Sequence, residues 1–123
     1  MYHISIEQKE HFLFCRVTGN NTVENVIHYL NDIHDAMERH HSKKVLIEEN
    51  LTGPSLNLLK MYQIIHAARK TVLALPHKIA YVDINPDHNL ASLRFAETVA
   101  FNRLIKMKLF TSVEQGEQWL QKE

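Results

Sequence analysis

Five acidic or histidine side chains stand where predicted strands end. They are Glu48, Glu49, Asp83, Asp87 and His88. The carboxyl ends of parallel strands meet at one edge of a sheet, where α/β proteins place their sites. These groups could hold a divalent cation, or Glu48, Asp83 and His88 could act as acid and base in a small enzyme. Helix capping and solvent exposure at strand ends are the interpretation we prefer, because no compact metal-ligand spacing is present. We therefore predict no catalytic residue, metal or cofactor.

A second group of polar side chains lies on one predicted helix. His34, Glu38 and His41 follow each other at i, i+4 and i+7, so they share a helical face that could bind a transition metal. His34 also falls in the apolar stripe of that helix, beside Leu30 and Met37. A hydrogen-bonded core histidine is therefore the interpretation we prefer.

Cys15 is the only cysteine, and it lies in an apolar strand, where an inert buried thiol is usual. No internal disulfide can form, which is typical of a reducing compartment. The three glycines are far apart and build no nucleophile elbow, phosphate loop or dinucleotide fingerprint. We expect a protein that is not an enzyme.

Charge and length narrow the class of protein further. The chain has 14 basic and 14 acidic residues, which is not the basic excess of a nucleic-acid binder. No segment approaches the ~20 apolar residues that span a bilayer, and the first residues do not resemble a signal peptide. We predict a cytoplasmic protein whose 123 residues form a single domain, 1–123.

Apolar periodicity places these residues on strands and helices. Alternation with a period of two predicts strands, and a period of 3.6 predicts helices. The order is β-β-α-β-α-β-α-β-α: an α/β fold with a mixed, mostly parallel five-stranded sheet, an N-terminal hairpin and four helices. The predicted elements are strands 2–7 and 12–17, helix 22–40, strand 45–49, a helix from 54 to 68, strand 78–84, helix 90–104, strand 107–110 and a final helix after 112.

Local signals add detail to three of these helices. Thr22 is the expected N-cap of the first helix, and Ser112 with Gln115 forms a capping box for the last. Trp119 should tie the last helix to the domain. The second helix should begin near Pro54, and its buried face should comprise Leu58, Met61, Tyr62, Ile65 and Ala68.

The last third of the chain carries a family resemblance. The segments are His77-Lys78-Ile79-Ala80-Tyr81-Val82, Arg94-Phe95-Ala96-Glu97 with Asn102-Arg103, and the stretch from Leu109-Phe110-Thr111-Ser112 to Trp119-Leu120. With the element order, they resemble the SpoIIAA-like family of small bacterial proteins. That family has the STAS fold of anti-sigma-factor antagonists, shared in outline with CRAL-TRIO lipid-binding domains.

The resemblance implies a non-catalytic interaction or regulatory module that docks a protein partner or a small apolar ligand. The alternatives are a CRAL-TRIO-type carrier of a lipid-like ligand and the small enzyme described above. STAS antagonists carry an Asp-Ser pair at the start of the helix after a central strand, and that serine is phosphorylated. Ser55 and Thr52 lie near the equivalent place, although no Asp precedes either. We expect Ser55, as the residue that begins the helix, to be the modified one if either is.

The third helix is apolar around much of its circumference. Phe95 and Val99 can face the sheet, whereas a second stripe lies more than a quarter turn away. Two apolar faces imply a second burial partner. Neighbouring helices could cover the second stripe, a homodimer could bury it, or a lipid-like ligand could lie beneath it. We predict a homodimer. The stripe comprises Leu90, Leu93, Ala100, Phe101 and Leu104.

Overall fold

The computed structural model describes residues 1–68, 77–102 and 105–122. Within these residues, five strands and four helices follow one another in the predicted order. The elements are β1 (Tyr2–Gln8), β2 (Leu13–Asn20), α1 (Val23–Arg39), β3 (Lys44–Thr52), α2 (Leu58–Ala68), β4 (Lys78–Asp83), α3 (Leu90–Asn102), β5 (Lys106–Phe110) and α4 (Val113–Gln121).

The strands form one sheet in the order β1-β2-β3-β4-β5. β1 and β2 are an antiparallel hairpin, and every later pairing is parallel. Each parallel pair is joined through a helix, because neighbouring parallel strands need a long crossover connection. The predicted class, element order and mixed sheet are therefore confirmed.

The sheet is covered on both faces. Helices α1, α2 and α3 pack with alternate residues of the strands on one face, and α4 packs on the other. Val45 and Ile47 of β3 belong to the three-helix side, and Leu46 between them belongs to the α4 side. A strand covered on both faces reads as the continuous apolar run seen in the sequence.

Helix caps follow the predicted chemistry. The Thr22 hydroxyl accepts from the N–H of Asn25, and the Ser112 hydroxyl accepts from the N–H of Gln115. At α3 the cap is Asn89, whose side-chain oxygen accepts from the N–H of Ala91 at 2.8 Å. These side chains satisfy N–H groups that have no partner within the first helical turn.

The region between β3 and α2 differs from the prediction. β3 continues to Thr52, because the ladder with β2 extends through the pairs Thr18–Asn50 and Asn20–Thr52. α2 begins at Leu58 rather than near Pro54, with the Asn57 side chain accepting from the N–H of Lys60.

The predicted buried face of α2 is only partly correct. Leu58 is 50% exposed and Tyr62 is 39% exposed, whereas Ile64 and Ile65 are buried. Met61 is half-buried, and the side chain of Ala68 lies outside the described residues. The physical reason is the position of α2: the core lies against Ile64 and Ile65, so residues on the other side of the helix meet solvent.

The predicted second stripe of α3 is divided between core and solvent. Leu93 and Ala100 are buried beside Val99, because α2 packs against α3 on this side. Leu90 is half exposed and Phe101 is 75% exposed, while Leu104 lies outside the described residues. The stripe is therefore not one continuous face open to a second chain, and a charge at Leu93 would disrupt the core.

Gly116 sets the distance between α4 and the sheet. A Cβ atom at this position would overlap Cδ1 of Leu46 and stand 3.3 Å from Cβ of Ala80. Glycine costs about 1 kcal/mol in a helix relative to alanine. The close approach of helix backbone to strand side chains accounts for its presence.

Replacing Gly116 with valine should lower the free energy of unfolding by at least ~2 kcal/mol, because the added methyl groups must push α4 from Leu46. Urea denaturation followed by circular dichroism measures the change. Gln118→Val, on the exposed side of the same helix, is the matched control and should cost no more than ~0.5 kcal/mol. Equal losses in the two variants would contradict this account of α4.

Candidate functional site

Strand alternation decides which acidic residues meet at the carboxyl edge. Glu49 and Tyr81 lie on the three-helix side of the sheet, together with Ile47. Glu48 points to the opposite side, where its carboxylate stands 3.5 Å from the guanidinium of Arg16. The proposed grouping of Glu48 with Asp83 and His88 is therefore wrong. Because side chains alternate along a strand, Glu49 takes its place.

Glu49 is almost completely buried, and two tyrosines hold its carboxylate. The hydroxyl of Tyr29, from α1, donates to one oxygen, and the hydroxyl of Tyr81, from β4, donates to the other. Burial raises the pKa of Glu49 to about 7, although the two hydrogen bonds act in the opposite direction. The carboxyl group therefore changes charge near neutral pH.

Asp83 and His88 form a second buried pair beside Glu49. Nδ1 of His88 lies 2.6 Å from Oδ2 of Asp83, and both side chains are only 2–3% exposed. Burial lowers the pKa of His88, but the hydrogen bond and charge of Asp83 outweigh it, so the pKa is raised overall. The other carboxylate oxygen of Asp83 accepts from the N–H of Asn85 at 3.0 Å.

Glu49, Asp83 and His88 each offer one ligand atom, and these atoms lie within 4.8 Å of one another. That donor set suits a divalent cation in principle. However, both Glu49 oxygens accept from tyrosines, and Asp83 is bound to His88 and Asn85. A cation would have to displace these hydrogen bonds. The carboxylate oxygens are already satisfied by hydrogen bonds from neighbouring side chains and backbone.

This network borders a cavity of about 60 Å³ between the sheet and the three helices. Its polar end is formed by Tyr29, Glu49, Tyr81, Asp83 and His88. The remaining wall is mostly apolar. It includes Leu30, Leu56, Met61, Ile65, Leu93 and Met107.

The loop after β3 borders the cavity and is held by hydrogen bonds from residues that follow β2 and β4. The side-chain amide of Asn21 donates to the carbonyl of Pro54 at 2.8 Å. Nε2 of His88 lies 3.1 Å from the carbonyl of Gly53, and the N–H of Asn89 donates to the hydroxyl of Ser55 at 2.5 Å. The buried Asp83–His88 pair therefore also positions the surface loop.

The two candidate phosphosites lie in this loop region. Ser55 does not begin a helix, contrary to the prediction, because α2 starts three residues later. Ser55 is half-buried, and its hydroxyl accepts a hydrogen bond from the N–H of Asn89 at the start of α3. Thr52 is exposed, and its hydroxyl donates to the carbonyl of Gly19 at 3.1 Å.

Apolar side chains are exposed around the same edge. They occur where α2 and α3 begin and where β4 ends, which are all positions at the carboxyl ends of the parallel strands. Each of these side chains is at least 45% exposed. They are Leu58, Leu59, Ile84 and Leu90.

The remaining candidate residues do not join this site. His34 is a mostly buried histidine, and its Nε2 lies 2.7 Å from a carboxylate oxygen of Glu38. His41 lies beyond the end of α1, with a φ of 54°, and therefore does not share a helical face with His34. Cys15 is buried, and burial raises its pKa to about 12. Asp87 is exposed and caps no helix, since Asn89 takes that role.

Sequence reasoning missed the two tyrosines that define the site. Tyr81 is two residues before Asp83, so alternation alone places both on one face. Tyr29 falls among the buried positions of α1, between Val26 and Ile33. A tyrosine in such a stripe signals a buried hydroxyl that needs a partner.

Comparison with solved structures identifies the fold. The chain is similar to an anti-sigma factor antagonist from Mycobacterium paratuberculosis, with a TM-score of 0.61 and 11% sequence identity, over 99% of this chain and 96% of that one. No family model matches the sequence, and no curated protein does. The fold is the STAS, SpoIIAA-type fold expected from the sequence. Among the described residues, no helix is both long and apolar enough to cross a membrane.

Stability should fall as pH rises through the range in which Glu49 ionises. The pKa of Glu49 is raised from 4.5 to about 7, so the folded state holds this proton more tightly, and the stabilisation present at low pH is lost between these values. The shift corresponds to about 3 kcal/mol. The raised pKa of His88 acts in the same direction at higher pH.

Urea denaturation of wild type and Glu49→Gln at pH 5 and pH 8 tests this expectation. The free energy of unfolding should fall between the two pH values in wild type, and most of that fall should be absent in Glu49→Gln. Glu48→Gln, which alters the neighbouring carboxylate on the other face of the sheet, should keep the wild-type slope. An unchanged slope in Glu49→Gln would show that the buried carboxyl group does not control the pH dependence.

Proposed function

We propose that this chain is a non-catalytic regulatory module of STAS type that docks a protein partner at the carboxyl edge of its sheet. The observation that carries the proposal is the likeness to an anti-sigma factor antagonist along 99% of the chain. The sheet draws strands from both ends of the chain, which supports a single domain for residues 1–123. The lone, buried Cys15 supports a cytoplasmic location.

The exposed apolar side chains at this edge support docking. Leu58, Leu59 and Leu90 are 49–66% exposed. Apolar side chains grouped on a surface and surrounded by polar ones are typical of interaction sites. The loop that carries Ser55 lies among them and is held by hydrogen bonds to Asn21, His88 and Asn89. A partner would therefore meet a preformed surface.

A second candidate function is the binding of a small apolar ligand in the cavity beside Glu49. Its volume of about 60 Å³ is far below the roughly 300–1,000 Å³ of ordinary ligand pockets, so a lipid-like chain does not fit. A CRAL-TRIO-type carrier is therefore the weaker alternative. An enzyme is weaker still, because Glu49, Asp83 and His88 are buried and bonded to their neighbours.

Site-specific photo-crosslinking in the native cell tests the docking surface. A photoreactive residue at Leu58 and, separately, at Leu90 should capture the same protein, since both positions lie at the carboxyl edge. The control position is Lys9, which is exposed in the β1–β2 turn at the other end of the sheet, and it should not capture that protein. Equal capture from Lys9, or none from Leu58 and Leu90, would overturn the proposed surface.

We infer that Ser55, rather than Thr52, is the residue that would be phosphorylated. A phosphate on Ser55 would meet the N–H groups at the start of α3, where a negative charge is favoured. Phosphopeptide mass spectrometry of protein from the native cell should find Ser55 modified, and Ser55→Ala should abolish the signal. Modification of Thr52 with Ser55 untouched would contradict the inference.

A further inference from the structure

The two edges of the sheet are protected to different degrees. On β5, the N–H of Leu109 donates to the carboxylate of Glu97 at 2.7 Å, and the N–H of Met107 donates to the carbonyl of Ile105 at 3.0 Å. Strand alternation directs both of these N–H groups to the same side, away from β4. β5 is also short and carries Lys106 and Lys108. Its edge therefore offers few free groups to another strand.

The other edge, β1, has none of these protections. It is seven residues long, contains no lysine, proline or glycine, and stands first in the sheet order of the described residues. Long edge strands without such features are templates for pairing with another chain. β1 is thus the open end of this sheet.

The register of the hairpin shows which groups face outward. The N–H of Lys9 donates to the carbonyl of Phe12, and the N–H of Asn20 donates to the carbonyl of Met1. Because the ladder alternates, His3, Ser5 and Glu7 turn their backbone groups toward β2. The residues between them present their N–H and C=O groups to solvent. They are Tyr2, Ile4, Ile6 and Gln8.

We propose that β1 pairs antiparallel with β1 of a second copy of this chain, about a two-fold axis at Ser5, so that the two sheets join into one. Only residues with outward-facing backbone groups can form the new hydrogen bonds. The arrangement with the longest overlap therefore places Tyr2 opposite Gln8 of the second copy and Ile4 opposite Ile6.

The side chains of β1 are complementary in this arrangement. His3 comes to lie opposite Glu7 of the second copy, and the symmetry repeats the pair. An imidazole N–H donates well to a carboxylate. Glu7 already has Lys9 Nζ at 3.2 Å from one oxygen, and its other oxygen can accept from His3 of the second copy. Ile4 and Ile6, which are half-buried against the core, extend the apolar layer across the junction.

This interface differs in location from the α3 dimer predicted from the sequence. Of the α3 stripe, Leu90 and Phe101 are exposed, but Leu93 and Ala100 between them are buried. The β1 edge offers backbone hydrogen bonds and a charge pair in addition to apolar contact.

Sedimentation equilibrium at ~100 µM, well above the dissociation constant of a stable interface, tests the proposal with the full chain. The wild-type protein should sediment as a dimer. Ser5→Lys should sediment as a monomer, because two lysines would face each other on the axis while the exposed position leaves the fold intact. Phe101→Glu is the matched control and should remain dimeric.

A cysteine at the axis gives a second readout. Directly opposed residues without mutual hydrogen bonds have Cα atoms about 4.5 Å apart, which a disulfide can span. Oxidised Ser5→Cys should therefore run as a covalent dimer on non-reducing gels, whereas His3→Cys, facing Glu7, should not. A wild-type monomer, a dimer that persists in Ser5→Lys, or dissociation by Phe101→Glu alone would each overturn the proposal. None of these results would affect the crosslinking test of the partner surface.

Discussion

The buried carboxyl group of Glu49 is the interaction on which the site depends. It lies at the end of a central strand and accepts hydrogen bonds from Tyr29 of α1 and Tyr81 of β4. A carboxylate removed from water is costly unless its oxygens are bound. The two tyrosines meet that requirement, and in doing so they link three separate elements of the fold. Removing either hydroxyl would leave a buried oxygen without its partner.

A second buried pair lies beside Glu49 and reaches the surface. Asp83 orients His88, and the far nitrogen of His88 contacts the carbonyl of Gly53 in the loop after β3. The Asp83–His88 pair, which lies beside Glu49, thus joins the buried end of β4 to this surface loop by hydrogen bonds. The same loop is also held at Ser55, whose hydroxyl accepts from the N–H of Asn89.

Two exposed surfaces of the molecule differ in chemistry. The carboxyl edge of the parallel strands combines exposed leucines with a loop fixed by hydrogen bonds, whereas β1 exposes backbone groups along one side of the sheet. At β5, Glu97 and Ile105 occupy the corresponding N–H groups. Among the described strands, β1 is consequently the more open edge of the sheet.

The amino-acid sequence by itself determined the class and order of the elements, because apolar periodicity is a local property. Alternation at Tyr2, Ile4 and Ile6 and the caps at Thr22 and Ser112 depend only on near neighbours. Tertiary structure decided which helix faces meet solvent, since Leu58 and Leu93 look alike in sequence and differ only in what packs on them. It also decided the site. Glu48 and Glu49 are adjacent acidic residues at a strand end. Glu49 is buried and hydrogen-bonded because Tyr29, which is distant in the chain, packs beside it. Glu48 lies on the other face of the sheet, beside Arg16.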